Sequence, residues 1–435
     1  MSAYSIGTKA YCGLHKIAKL ILGHGTTSVK MIDVSPGDVG PDILSSVYPI
    51  ENVVYNGSVS PQRESYRAMY PAVNLGVGSE EASDAWIRFI HSSVIPEGYK
   101  GGGLHYAGFI EKRGWCLPSW IWTNAALVRM YCEVGDLKSG QAIAERLLLL
   151  QEEWGGWIVR NDYTSTDVIP VLAPNDSSFI ANNAMLTMYR ATGDQRYMDA
   201  ACRCADWIIT SARPDGMVPV GYDMKRNMWQ RHNIVDTGFT AALFASLYDL
   251  TNEPKYKDFL IHFVARYIEL FFIPAKQGFA TSLNSDDQQQ GGMFARGQAW
   301  ALEGLIPAYS VLQAEYVRKV IEDTISTMLR HQRPDGGWSY NLTRPLLGED
   351  CKGVAVIAKA LMEWNEICPS DNLKDAARLA LEWCRKHTAK EGETRGGIFS
   401  YCMEGAVVHH LYSSTAFVYA SAYAIEVEQK LTQSY

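Results

Sequence analysis

The chain has 435 residues, of which 47% are hydrophobic and 20% charged, and carries a net charge of −7 at neutral pH. These values allow a sizeable buried core and, with no basic cluster anywhere, give no reason to expect a nucleic acid or an anionic membrane as partner. No stretch reaches the length of about 18 uncharged apolar residues that a membrane span needs, and MSAYSIGTKAYCGLHKIAKL at the start lacks a secretory signal's apolar run and cleavage site. A cytoplasmic location is the expectation. The nine cysteines fit it, being scattered and forming no CxxC pair, so they read as reduced thiols.

Residues 1–80 stand apart as an extension of mixed structure, with a helix expected over 17–22 and a strand over 29–34. From 81 to 435 the chain repeats itself. A Gly-rich turn with an aromatic or apolar residue recurs six times: GGGLHY (101–106), WGGWIV (154–159), PDGMVPV (214–220), KQGFATS (276–282), PDGGWSY (334–340) and RGGIFSY (395–401). After each comes an apolar, charge-poor helical stretch, at 120–132, 176–190, 236–250, 296–312, 352–367 and 413–428. A more charged helical stretch then precedes the next turn, for example at 195–211, 254–270, 316–331 and 372–387. Two junctions are parallel in sequence: YRATGDQRYMDA (189–200) matches YDLTNEPKYKDF (248–259), with Gly193 or Asn252 as the helix stop. Six inner helices buried nearly all round and an outer amphipathic ring make an all-α fold, an (α/α)6 toroid or six-hairpin barrel.

In such a ring the inner helices begin at one end, so the residues at their starts line one funnel. Those residues are Trp120 with Trp122, Asp176, Asp236, Arg296 with Gln298, Asp350, and Ser413 with Ser414. Asp176 and Asp236 hold the same phase of successive repeats. Each is read either as a helix N-cap or, because the ring brings both to one mouth, as half of a carboxylate pair suited to acid–base work. Trp120, Trp122, Trp157, Trp300 and Trp338 offer flat faces for sugar rings or, equally, packing for the turns. His232, His409 and His410 are lesser candidates at the same mouth. No HExxH, CxxC or carboxylate-rich loop points to a metal, and no P-loop or βαβ context points to a nucleotide, so no cofactor is expected.

The most specific string is FARGQAWAL (294–302). It resembles the WARGQAW signature of glycoside hydrolase family 88, the unsaturated glucuronyl hydrolases, six-hairpin α/α barrels whose fold family 105 shares. IVDTGFTAALFASLYDLTNEPKY (234–256) looks like the segment carrying that family's catalytic Asp, here Asp236. PNDSSFIANNAMLTMYRATGD (174–194) is similar to the segment with the second active-site Asp, here Asp176. DGGWSYNL followed by EDCKGVAVIAKALMEW (335–364) resembles the family's aromatic turn and Asp350-led helix. The likeness runs over roughly residues 90–430. It implies hydration of a 4,5-unsaturated uronic acid on an oligosaccharide, with Asp236 as general acid and base, Asp176 as its partner, and Arg296 on the substrate carboxylate. Gln298, Trp300, Trp120, Trp122, His232, Trp338, Asp350 and His410 would complete the substrate site.

Two departures keep other readings open. The family's His ahead of RGQAW is missing from NSDDQQQGGM (284–293), and Thr237, Gly238 and Phe239 follow Asp236 where the family has a Met-Asn pair. The alternatives are a sugar epimerase or polysaccharide lyase using His232, His410 or Tyr412 as base, and a non-catalytic carbohydrate-binding or polysaccharide-biosynthesis protein.

Overall fold

The computed structural model describes residues 82–433 except 98–100, 111–113, 117–119, 159–170, 225–226, 231–232, 344–348, 393 and 403–412. The 1–80 extension, with its expected helix and strand, lies outside the described residues. Thirteen helices are described: α1 (Ala82–Ser92), α2 (Thr123–Glu133), α3 (Leu137–Leu149), α4 (Pro174–Ile180), α5 (Thr187–Thr192), α6 (Gln195–Ser211), α7 (Phe239–Thr251), α8 (Pro254–Phe271), α9 (Ala295–Leu312), α10 (Glu315–His331), α11 (Cys351–Ile367), α12 (Asp371–Lys386) and α13 (Val418–Gln433). Helices α4 and α5 are one rod, joined by a π-helical turn over Ala181–Leu186. Counting that rod once leaves twelve, arranged in two rings.

The inner ring is α2, α4 with α5, α7, α9, α11 and α13, each packed on the next, with α13 returning to α2. Burial follows from composition. Along α9 every residue from Ala295 to Ile306 is buried, as expected of an apolar helix surrounded on all sides. The outer helices bury one stripe only; α12 buries Leu373, Ala376, Ala377, Ala380, Leu381, Trp383 and Cys384 and gives its charged residues to water. The two junctions that match in sequence match in detail. At each, a Thr hydroxyl bonds back to the carbonyl four residues earlier (Thr192 to Met188, Thr251 to Leu247, both 2.7 Å), and the left-handed Gly193 or Asn252 ends the helix.

The Gly-rich turns work by close approach. Gly336 sits at φ +92°, and a Cβ there would lie 2.0 Å from the carbonyl oxygen of Leu379 on α12. Its neighbour Gly337 leaves room for the ring of Trp383 on the same helix, as Gly156 does for Trp207 on α6. Each turn is therefore stitched to the outer helix of the next hairpin.

Two expectations need correction. Residues 413–417 are not the start of the last inner helix; they form a strand of a four-stranded antiparallel sheet. Its strands are β1 (Gly108–Ile110), β2 (Gly114–Cys116), β6 (Phe399–Cys402) and β7 (Ser413–Phe417), in the order β6-β7-β1-β2. Unpaired edges of β1 and β6 flank this segment, and pairing with both satisfies more backbone than one more helical turn would. A second small sheet joins β3 (Asn233–Ile234), β4 (Ser282–Leu283) and β5 (Gln289–Gln290). The other correction is α1, an outer helix that counting from the first turn passes over. Its apolar residues Ala82, Ala85, Trp86, Phe89 and Ile90 carry the helical spacing plainly, and all are buried.

Candidate active site

Asp236 lies in the 3₁₀ turn Val235–Gly238 that leads into α7, and Asp176 in the first turn of α4. Neither occupies the N-cap position, which Ile234 and Ala173 hold; both lie within the first turn. The two segments pack against each other. Phe179 and Phe239, each three residues past its Asp, meet with ring centroids 4.6 Å apart and planes tilted by 58°, and Ser178 meets Thr240 at 3.2 Å. The equal phase seen in sequence is thus a side-by-side placement of the two acid-bearing turns.

The Asp236 turn is held from three sides. A Cβ on Gly304 of α9 would stand 2.1 Å from the carbonyl oxygen of Gly238, so the absence of a side chain lets α9 press directly on the turn. Tyr267 of α8 donates its hydroxyl to the Val235 carbonyl at 2.6 Å; burial and the nearby charge of Asp236 push that hydroxyl's pKa well up. Thr237 donates to Asn233 Oδ1 and to the Ile234 carbonyl at 2.8 Å. The strand entering the turn, β3, pairs with β4, so the His-less stretch 284–293 serves as a hairpin clasping the approach to Asp236. Asp287 in that hairpin is tied to Arg213.

Arg296 reaches Asp350 at 3.1 Å, with both side chains buried, and joins α9 to α11. Asp350 also accepts from the Lys352 backbone N–H at 3.2 Å and caps α11. The Arg296 guanidinium lies over the rings of Phe294, Trp300 and Tyr340 at 4.3, 5.0 and 5.9 Å. Around it runs an aromatic surround. Trp120 stacks on Trp122 at 6.2 Å and on Phe417 at 6.1 Å, and Trp122 meets Trp300 at 6.1 Å, Phe179 at 5.4 Å and Tyr419 at 5.0 Å. Within that surround the Trp300 indole nitrogen and the Tyr419 hydroxyl are buried and make no hydrogen bond. Such groups are costly unless something pairs with them.

The structure brings Asp236, Asp176, Arg296, Trp300, Trp120, Trp122 and Asp350 to the starts of neighbouring inner helices. Two other predicted contacts are corrected. Gln298 is fully buried, and its carboxamide is spent on the KQGFATS turn, accepting from the Phe279 N–H at 2.6 Å and donating to the Phe279 and Phe294 carbonyls at 2.9 and 3.0 Å. Trp338 is buried in its turn and donates to the Met328 carbonyl of α10 at 2.8 Å, as Trp157 does to Leu147 at 2.7 Å. Both tryptophans fasten turns to outer helices. His232, His409, His410 and Tyr412 lie outside the described residues.

Sequence reasoning missed Lys352. It is fully buried, 3.9 Å from Asp350 and 3.7 Å from the Phe417 ring centroid, and brings a second cation beside Arg296. The signal was a lone Lys at the head of an apolar stretch. Among the described residues no group of three or more His, Cys, Asp and Glu is placed to hold a metal, and no helix is long and apolar enough to cross a membrane.

Three kinds of comparison bear on this arrangement. Among solved structures, an unsaturated glucuronyl hydrolase specific for heparin is similar over 81% of this chain and 96% of its own, with a TM-score of 0.64 and 17% identity. An unsaturated glucuronyl hydrolase responsible for glycosaminoglycan degradation, from Bacillus sp. GL1, is similar over the same shares with a TM-score of 0.63 and 14% identity. A cellobiose 2-epimerase from Bacillus thermoamylovorans covers 84% of this chain and 98% of its own at a TM-score of 0.60 and 12% identity. These likenesses confirm the six-hairpin toroid. Comparison with curated proteins returns no match. The family model of Glycosyl Hydrolase Family 88 matches residues 119–430, from before α2 to within α13, and so reaches all six inner helices. The chain belongs to glycosyl hydrolase family 88, and it is a glycoside hydrolase.

Proposed function

We propose that the protein releases a 4,5-unsaturated uronic acid from the end of an oligosaccharide by hydrating its double bond, with Asp236 as the general acid and base. The observation that carries the reading is the side-by-side placement of the Asp236 and Asp176 turns, fixed by the 4.6 Å contact of Phe179 with Phe239. Family membership and the heparin- and glycosaminoglycan-acting neighbours support the substrate class.

The double bond is part of a vinyl ether. A proton from Asp236 to C4 leaves a cation shared by C5 and the ring oxygen; the resulting carboxylate takes a proton from water as its oxygen bonds to C5. The hemiketal then opens, breaking the bond from C5 to the ring oxygen, and the hemiacetal left at C1 expels the next sugar as an alcohol. General acid–base work of this kind contributes roughly 10² to 10⁴ in rate. Arg296 and Lys352 supply positive charge for the substrate carboxylate, and the Trp300 indole N–H a donor for a hydroxyl. Trp120 and Trp122 give the sugar rings apolar surface.

The test is a panel of lyase-generated unsaturated disaccharides from differently linked and sulfated polysaccharides. Loss of the ultraviolet absorbance of the conjugated uronate, with stoichiometric release of the second sugar, is expected for at least one. An epimerised or newly unsaturated product from saturated sugars would replace this reading by an epimerase or a lyase. Binding without turnover across the panel would leave a carbohydrate-binding protein.

A further inference from the structure

Farther along the barrel axis, towards the C-terminal ends of the inner helices, lies a polar region that the proposed reaction does not use. A cavity of about 160 Å³ there is lined by Arg129, Glu133, Asn182, Arg190, Glu303 and Lys359, with Phe179 and Phe239 on the side nearer the aromatic surround. The buried cations are already committed. Arg129 forks onto Glu426 at 2.7 and 2.9 Å and reaches Asn183 at 2.5 Å, while Lys359 pairs with Glu363. Glu303 has a side chain only 7% exposed, and its Oε1 accepts from Tyr423 at 2.7 Å.

What is left over is acceptor capacity. Glu303 Oε2 and Asn182 Oδ1 are buried and make no hydrogen bond. Among the lining residues the cations Arg129, Arg190 and Lys359 are matched in number by the carboxylates Glu133, Glu303 and Glu363, so what the cavity offers a ligand is these free acceptor atoms rather than an unmatched cation. A metal is disfavoured, because no cluster of ligands suits one among the described residues. The volume is below the several hundred Å³ of a drug-sized pocket and matches about five waters or one small molecule. Asn182 stands on the π-helical turn of the α4–α5 rod, an irregularity often found where a helix serves a ligand.

We propose that this cavity binds a small organic ammonium ion, which donates to Glu303 Oε2 and Asn182 Oδ1 and sets its alkyl part against Phe179 and Phe239. Carboxylate and aromatic walls together are the chemistry that recognises alkylammonium groups. The site shares the Phe179 and Phe239 wall with the acid-bearing turns but contains neither Asp, and its occupancy is read by binding rather than turnover, so its test does not depend on the proposed reaction.

Methylammonium chloride is the probe, titrated into the full-length protein by calorimetry and thermal melting. Methanol serves as the neutral isostere and sodium chloride as the ionic control. Methylammonium should bind saturably and raise Tm while the two controls do neither. Glu303→Gln should weaken binding roughly 10- to 100-fold, the loss of one charge-assisted hydrogen bond. Glu133→Gln, at the more open edge of the cavity, should weaken it several-fold while its melting temperature without ligand is read beside that of the parent. No saturable binding, an equal effect of sodium chloride or methanol, or affinity unchanged in both variants would overturn the proposal.

Discussion

Asp236 can be separated from its fold by a change that keeps its shape. Asp236→Asn retains volume and polarity but has no acidic proton, so turnover should fall by roughly 10² to 10⁴ while the melting temperature moves little; a progress curve on the best unsaturated disaccharide, beside a melt, checks both. If the two acids act together, Asp176→Asn should lose a comparable factor. Glu303 gives a prediction of the opposite kind. Burial pushes its carboxyl up to about 7, against the pull of Lys359 and Arg129. It holds its proton to higher pH in the folded than in the unfolded chain, so its contribution to stability is greatest below the unfolded value of about 4.5 and declines as pH rises from there through 7. Glu303→Gln should flatten denaturation midpoints measured across that window. The adjacency of the two acid-bearing turns was legible in sequence because phase in a repeat is a spatial statement. Gln298 was misjudged because a motif string does not say whether its amide faces substrate or a neighbouring turn. The charges at Arg129 and Glu303 were not legible at all, since each is explained only by partners on other helices.

The turns make the sharpest predictions among the elements. Gly336→Ala must accommodate both a positive φ and a methyl 2.0 Å from the Leu379 carbonyl, so α12 has to move. Gly193→Ala meets a positive φ of +71° with nothing within 4 Å, and keeps only the strain of a left-handed alanine. The first should lower stability by several kcal/mol and the second by about 1–2 kcal/mol, read from urea midpoints of the two variants side by side. Helices and turns were readable because burial on all sides removes charge and because the turns repeat. Strand β7 was not, because SSTAF becomes a strand only through the edges of β1 and β6, which are some 300 and 10 residues away in sequence. For the same reason the DTGF departure after Asp236 makes sense only with α8 and α9 in place: Thr237 and Gly238 fit the turn to Asn233, Tyr267 and Gly304.

Across the whole molecule the ring is closed without a covalent bond. The fully buried Trp86 on α1 donates to the hydroxyl of Thr388, 302 residues later, at 2.9 Å, and α1 packs along α13. Trp86→Ala empties a large volume at that closure and should cost about 3–5 kcal/mol, lowering the melt of all the hairpins together rather than of one alone, since each inner helix has two inner neighbours. Circular dichroism of the helical signal and tryptophan fluorescence should report the same midpoint. The six-fold architecture was the most legible property of all, because it needs only period and polarity. The closure was not, because the sixth pair is formed by helices at opposite ends of the barrel sequence.

That pairing gives the ring a curious genealogy of connections. In five hairpins the inner helix passes to its outer partner through two or three residues: 134–136, 193–194, 252–253, 313–314 and 368–370. In the sixth, the inner helix ends at Gln433 and the outer one begins at Ala82, so the chain is a loop of string cut at the place where the sixth such connector would be. Topologically the barrel has no first hairpin. Splicing Gln433 to Ala82 with a two- or three-residue link and opening the chain at another connector relabels the order of the parts while leaving every neighbour in place.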